Sequence, residues 1–462
     1  MAPEPPPARW DGASVLLLLG FVAAQAYYGW IAASQHLALC TWPHDVGLMD
    51  YCFYSTLHGR FMYSPVIGQT HFGVHFTPTL LLLVPFYAVF DSPLTLLLFQ
   101  SAFLVAAAVP LYLIVRELTA DRLLAALTAS IYLTNYFTAS IHLAAHYEAI
   151  FPFLTLCTIH AALTGSERRY WTFLVLALGV KTDAPLYLFF LGAYLAPEPR
   201  TRRMGIGTML LAGAWFAVGM GVVKLLATST GPAYFRNWSG GAGAGLLATA
   251  WGGVASLFTA RVMLLLATVG FGCLLDPRSA WLILPPLLVL TTSSKPDLRA
   301  LLFYRTAMVL PFLFFSCANG LRRLVGWCGP GSILPVMAAA LVAVAGATIW
   351  VSWPTLTKGM LMRPFPITEE HELARKLCRE IPPEASVAAH WELYCQVPHR
   401  MNMYTLKDEA RADYVVLDIL PSSNWGPPEE NVKLSELYAD LGDHAQLVAS
   451  VGQKFFLFRR LR

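Results

Sequence analysis

Five stretches of this sequence hold ionisable and aromatic side chains at spacings that suit chemistry. The first is Trp42-Pro43-His44-Asp45-Val46-Gly47-Leu48-Met49-Asp50-Tyr51, where Val46, Met49, Cys52, Phe53 and Leu57 then recur at helical spacing. Asp45 at the start of such a helix can cap it, or can stand at a membrane surface as a carboxylate that takes a proton from an acceptor. The second stretch runs from His71 to His75, two histidines four apart. On a helix that spacing can bind a divalent metal, but Gly73 and Pro78 argue against a regular helix, which leaves His75 to hydrogen-bond a neighbour or a substrate. In the third, His146-Tyr147-Glu148, the carboxylate either complements a helix N-terminus or serves a site. The fourth, Lys181-Thr182-Asp183, sits inside an apolar run, where ionisable groups are costly and need a partner, here each other or a bound phosphate. Tyr304-Arg305 is the fifth, preceded by Lys295 and Arg299, with Arg236 in a glycine-rich loop upstream. Interface cations of this kind also snorkel. One carboxylate base with several cations at a lipid interface suits transfer of a group from a lipid phosphate, because a charge-neutralised phosphate leaves without a general acid. The opposed carboxylate pair of glycoside hydrolysis is not required.

Those residues need a scaffold, and composition says which solvent it meets. Of 462 residues, 56% are hydrophobic and 13% charged, against roughly 25% charged in a soluble domain. Mean hydropathy is +0.54, so the bilayer is the solvent. The net charge of +4 is modest, and basic residues lie in short clusters between apolar stretches, which excludes a nucleic-acid-binding stripe. Apolar stretches of spanning length occur at 15–33, 94–115, 123–140, 148–164, 204–226, 260–275, 279–293, 300–318 and 332–353. The first has no small-residue cleavage site and ends in Tyr27, Tyr28 and Trp30, an interfacial anchor, so it reads as an uncleaved span.

Two pieces, 76–90 and 170–196, are decided by the positive-inside rule. Arg9, Arg116 with Arg122, Arg168 with Arg169, Arg200 with Arg202 and Arg203, Arg278, and Arg322 with Arg323 all become cytoplasmic under one condition. Segment 76–90 must lie on the outer face without crossing, and 170–196 must be two short helices meeting at Lys181–Pro185. The expected fold is therefore a polytopic α-helical membrane domain over residues 1–353, with eleven membrane helices, two of them short, and interfacial helices on the outer face. The N-terminus is cytoplasmic, and Asp45, His75, Glu148, Lys181, Asp183 and Arg305 all fall on the opposite side.

Beyond Pro354 the pattern changes to a small α/β domain, 354–462, on the outer face. It reads as a helix at Glu369–Arg379, strands at Ala385–Ala389 and Ala412–Ile419, a helix at Leu434–Leu441 and a strand pair across Gln446–Phe458. It shows no nucleophile or nucleotide-binding loop. Cys40, Cys52, Cys378 and Cys395 fall outside, where an even set permits disulfides, Cys378 with Cys395 being the favoured pair.

The motifs around Asp45, His75-Phe76-Thr77-Pro78, His146-Tyr147-Glu148-Ala149 and Lys181-Thr182-Asp183, continued by Ile381–Ala389 and Ala412–Asp418, resemble the bacterial multi-pass proteins of domain-of-unknown-function family 2079. That family in turn resembles the GT-C glycosyltransferases, which use polyprenyl-phosphate sugars on the extracytoplasmic face and carry a catalytic aspartate in the first outer loop. The resemblance implies a bacterial inner-membrane enzyme with Asp45 as base and Lys181 and Arg305 near the donor phosphate. Asp50, His75, His146, Glu148, Asp183 and Tyr304 would complete the substrate site. The expected partners are a polyprenyl-phosphate-linked sugar, membrane lipid and an acceptor that is a glycan, lipid or protein. The rival class is a transporter, flippase or other non-catalytic protein that binds a lipid-linked ligand, although a transporter would place ionisable groups near the midplane and show repeats. Two positions depart from the family, which usually reads Lys-Glu-Asp at 181–183 and His-Tyr at 303–304.

Overall fold

The structure, a computed structural model, describes residues 12–41, 43–142, 146–228, 255–293, 303–352, 364–420 and 434–461, with single residues 299 and 301. Arg9, Arg236, Lys295 and the start of the expected C-terminal domain, 354–363, lie outside the described residues.

Among the described residues, five helices are long and apolar enough to cross a membrane: Val15–Leu37, Pro93–Thr119, Tyr147–Thr164, Arg202–Leu226 and Pro330–Ala347. Arg122–Thr134 and Ala184–Leu195 are shorter apolar helices. Local chemistry sets the breaks. Pro93–Thr119 is interrupted at Ala107, because Pro110 has no N–H for the Ala106 carbonyl and its ring crowds that turn. Arg122–Thr134 stops where Asn135 turns to cap Tyr136–Ile141, its side chain accepting from Phe137 N at 2.9 Å. The expected span 260–275 is a helix, Ala260–Ala267, then a 3-10 turn, Gly272–Leu275, parted at Gly270 and Phe271, both at positive φ. The span expected at 300–318 lies further along. A 3-10 turn, Phe303–Met308, is followed by the helix Leu310–Cys328, with Pro311 in its first turn.

Residues 170–196 form two helices, Glu167–Leu178 and Ala184–Leu195, parted at 179–183. The first packs on Phe151–Thr164 and the second on Arg202–Leu226, giving two antiparallel hairpins side by side. In the second hairpin a Cβ on Gly192 would lie 2.7 Å from the Gly205 carbonyl oxygen, the small-residue contact that lets membrane helices approach. Gly205→Leu is expected to cost about 1–3 kcal/mol by overpacking, read as a lower melting temperature in detergent. Segment 76–90 is a 3-10 turn, Pro78–Leu83, and one turn of α-helix, Val84–Tyr87, too short to span. It docks on the break between the hairpins: Thr79 N donates to Gly179 O at 3.1 Å, Thr79 Oγ1 to Leu176 O at 2.6 Å, and Phe76 N to Thr182 Oγ1 at 2.7 Å.

The C-terminal region is a five-stranded sheet. With β1 (Tyr63–Ser64) and β2 (Gln69–Thr70) forming a hairpin in the first loop, its strands are β3 (Val387–Ala389), β4 (Met403–Thr405), β5 (Tyr414–Asp418), β6 (Ala445–Val451) and β7 (Phe455–Arg460), in the order β4-β3-β5-β7-β6. β3 runs parallel to β4 and β5, and β7 antiparallel to β5 and β6. Alternation separates two apolar layers. Ala388, Val415, Leu417, Phe456 and Phe458 pack on Leu434 and Leu441 of the helix Leu434–His444. Val387, Ala389, Val416, Phe455 and Leu457 pack on Leu377 and Tyr394 and, beyond them, on Leu39, Val46 and Tyr51 of the first loop. The expected strands and helices all appear, and β4 and the short helix Trp391–Tyr394 are additions. All eight cysteines are free thiols, which overturns the Cys378–Cys395 pairing. Cys378 is buried under the sheet, whereas the Cys395 sulfur lies against Gly47 of the first loop.

Candidate functional site

Four breaks in regular helix converge on one place. The turn Tyr147–Ile150 touches Pro93–Ala106 and Phe303–Met308, and the π-helical turn Pro43–Gly47 touches Pro93–Ala106 and Trp391–Tyr394. The fourth is the gap 179–183. Each interruption frees side chains that a continuous helix would turn toward lipid or a neighbouring helix.

Glu148 is buried and accepts a charge-assisted bond from the Lys181 ammonium. That ammonium also lies 3.8 Å from Asp183 Oδ2, which accepts from the Tyr187 hydroxyl at 2.9 Å. The other Asp183 oxygen is buried and has no hydrogen-bond partner among the described residues. The His146 ring stacks on Tyr304 at 3.8 Å between centroids and 5° between planes, with its Nδ1 3.9 Å from Glu148 Oε2. Over the same Tyr304 ring, at 4.3 Å, lies the Arg305 guanidinium, a cation–π contact. His75 stands 6.0 Å from Tyr147 between ring centroids. Burial, reinforced by the Lys181 and Arg305 charges, holds its imidazole well below the usual range and hence neutral. The His71 Nδ1 meets Thr77 Oγ1 at 3.2 Å.

Asp45 is not a cap. The helix Leu48–Leu57 begins after Gly47 with no side-chain cap bond. Asp45 is 9% exposed. Burial pushes its carboxyl up to about 6 against the attraction of Arg305, with Glu148 repelling it further. A carboxylate that titrates near neutrality, within the field of a cation and a second acid, suits a proton acceptor.

A small apolar cleft, partly open to its surroundings, ends at His146 and Tyr147 of this cluster. Met49, Phe53, Leu80, Leu83 and Phe103 line it, and His146 and Tyr147 close its polar end.

Residues 35–442 match the model of a family described as predicted membrane protein, domain of unknown function 2079. The chain belongs to this family. No curated protein matches it. Two solved structures, both of ArnT from Cupriavidus metallidurans, share its fold. The form bound to undecaprenyl phosphate aligns with a TM-score of 0.58 at 12% identity over 98% of this chain and 99% of that one. The apo form gives 0.56 at 13% identity over the same shares. The fold of this DUF2079 chain is thus GT-C-like, a helical membrane domain carrying a small C-terminal sheet domain.

Of the residues read from the DUF2079 sequence, His75, His146, Glu148, Lys181, Asp183, Tyr304 and Arg305 share one cluster, and Asp45 lies within its field. Asp50 stands apart. It is buried and accepts from the Tyr87 hydroxyl at 2.5 Å and His399 Nε2 at 2.6 Å. The Thr182 hydroxyl accepts from the Phe76 backbone N–H. Sequence reasoning missed Gln100, which donates to Ile141 O at 2.6 Å and accepts from His146 N, fixing the turn that carries Glu148. A lone amide in an otherwise apolar span was its signal.

Proposed function

We propose that this chain is a membrane glycosyltransferase that moves a sugar from a polyprenyl-phosphate donor to an acceptor on the extracytoplasmic face. The observation that carries this reading is a cluster of buried and half-buried charges, Lys181, Glu148, Arg305 and Asp45, around His146 and Tyr147, which line one end of an apolar cleft. The apolar lining of the cleft suits the phosphate-proximal part of an isoprenoid tail, and the phosphate would sit toward the two cations. The GT-C-like neighbour ArnT was solved with undecaprenyl phosphate bound, which supports the same ligand class here. In the reaction, an acceptor hydroxyl attacks the anomeric carbon and gives its proton to Asp45, while the bond from that carbon to the phosphate oxygen breaks. Charge builds on the departing phosphate, and Lys181 and Arg305 stabilise it. Glu148 and Asp183 hold the Lys181 ammonium in place, and Tyr304 with His146 forms the platform for Arg305.

The reading places the chain in a bacterial inner membrane with a cytoplasmic N-terminus, and residues 354–462 as a domain on the same side as Asp45. Undecaprenyl phosphate binding by the full chain in nanodiscs, followed by native mass spectrometry, tests the donor site. Arg305→Ala should weaken it roughly tenfold or more, the loss of one charged hydrogen-bonding partner, and unchanged binding would remove Arg305 from the phosphate site. The non-catalytic alternative shares this binding and is separated by turnover.

A further inference from the structure

The turn bearing Asp45 is held on both sides by the C-terminal sheet domain. Upstream, Phe365 N donates to Ser34 Oγ at 2.9 Å, Gln396 Nε2 to His36 O at 2.9 Å, and the Arg375 guanidinium to Leu37 O. Downstream, His399 meets Asp50 at 2.6 Å and the Tyr394 ring packs on Tyr51 at 5.6 Å. Between them Val46 and Leu39 share an apolar layer with Val416 and Leu457. The domain also packs directly on Gly47, two residues from Asp45, where an added Cβ would stand 3.1 Å from Cys395 Sγ and 3.2 Å from Tyr394 Cδ1. A side chain at this position would push Tyr394 and Cys395 back by a few tenths of an ångström or more. In the same helix as Asp50, Met49 and Phe53 line the apolar cleft.

We infer that the C-terminal sheet domain positions Asp45, through the seat of Tyr394 and Cys395 on Gly47 and the bond from His399 to Asp50. The inference rests on Asp45 being the base. Gly47, Tyr394, Cys395 and His399 are then positioning residues that touch neither donor nor acceptor. A domain that merely capped the membrane helices would leave the surroundings of Asp45 unchanged when its grip is loosened. A domain that positions Asp45 would let the carboxylate turn away from Arg305, Glu148 and Cys395, the charged and titratable groups that act on it or on which it acts.

Carbodiimide labels protonated carboxyls, so its reaction with Asp45 across pH, read by peptide mass spectrometry of the full chain in nanodiscs, reports the ionisation midpoint without any turnover. Wild type should show a midpoint near about 6. In Gly47→Val and His399→Gln the midpoint should fall by about one pH unit as Asp45 regains water, with undecaprenyl phosphate binding retained. Adding Cys395→Ala to Gly47→Val removes the nearest of the contacting atoms and should move the midpoint back toward wild type. Wild-type midpoints in both single variants overturn the inference. If Gly47→Val does not fold, His399→Gln decides on the same readout. Transfer that survives Asp45→Asn would instead remove the role assigned to Asp45, with the labelling result unaffected.

Discussion

Asp45→Asn is expected to lower sugar transfer by roughly 10²–10⁴-fold, the usual contribution of a positioned general base, while undecaprenyl phosphate binding changes by less than about twofold. Asparagine keeps the size and the hydrogen-bonding reach of the side chain and removes only the ability to accept a proton. The accompanying pH profile follows from the titration. Asp45 works as the carboxylate, and its carboxyl is pushed up to about 6 by burial, so the rate should rise with pH through about 6 and level off above it. Arg305 opposes that upward push. Arg305→Ala should therefore move the midpoint further toward alkaline pH as well as weaken donor binding. Transfer by Asp45→Asn at the wild-type rate, or a profile flat between about pH 5 and 8, would remove Asp45 from the chemistry.

Lys181→Ala is the second large effect, with two separable parts. Glu148 is buried and its main partner is the Lys181 ammonium. Removing one member of a buried pair leaves an uncompensated charge and costs roughly 3–5 kcal/mol, so the single variant should melt well below wild type. Glu148→Gln in the same chain removes the orphaned charge, and the double variant should recover most of the melting temperature. It should not recover undecaprenyl phosphate binding if Lys181 also neutralises the donor phosphate. Recovery of both would make Lys181 and Glu148 a structural ion pair and leave Arg305 as the phosphate cation.

The parts of this arrangement that could be read in advance are those where local chemistry contradicts its surroundings. Lys181-Thr182-Asp183-Ala184-Pro185 inside an apolar run announces a break, because a lysine at membrane depth is costly and Pro185 begins a helix more readily than it continues one. The short segment 76–90 was legible only through charge, since the neighbouring arginine clusters cannot all lie on one side if it crosses. What stayed hidden depends on distance along the chain. His399 finds Asp50 from 349 residues away, and no periodicity carries that information, so Asp50 read as a companion of Asp45 although the fold ties it to Tyr87 and His399. The helix expected at 300–318 was displaced for a different reason. Leu301, Leu302 and Phe303 are apolar and extend a hydropathy window, but regular α-helix starts only where Pro311 can occupy the first turn. Counting cysteines could not reveal that Cys395 faces Gly47 rather than Cys378.

The two faces of the C-terminal sheet also impose an order on synthesis. One face is completed by Leu434 and Leu441, residues made close in time to the strands they cover. The other is completed by Leu39, Val46 and Tyr51, which leave the ribosome more than three hundred residues before β3 does. Through nearly all of translation the first loop must wait on the membrane surface with its apolar side uncovered. It settles only once the C-terminal domain is made, so a ribosome that stops before that domain would leave every described membrane helix made and the Asp45 turn without Tyr394, Cys395 and His399.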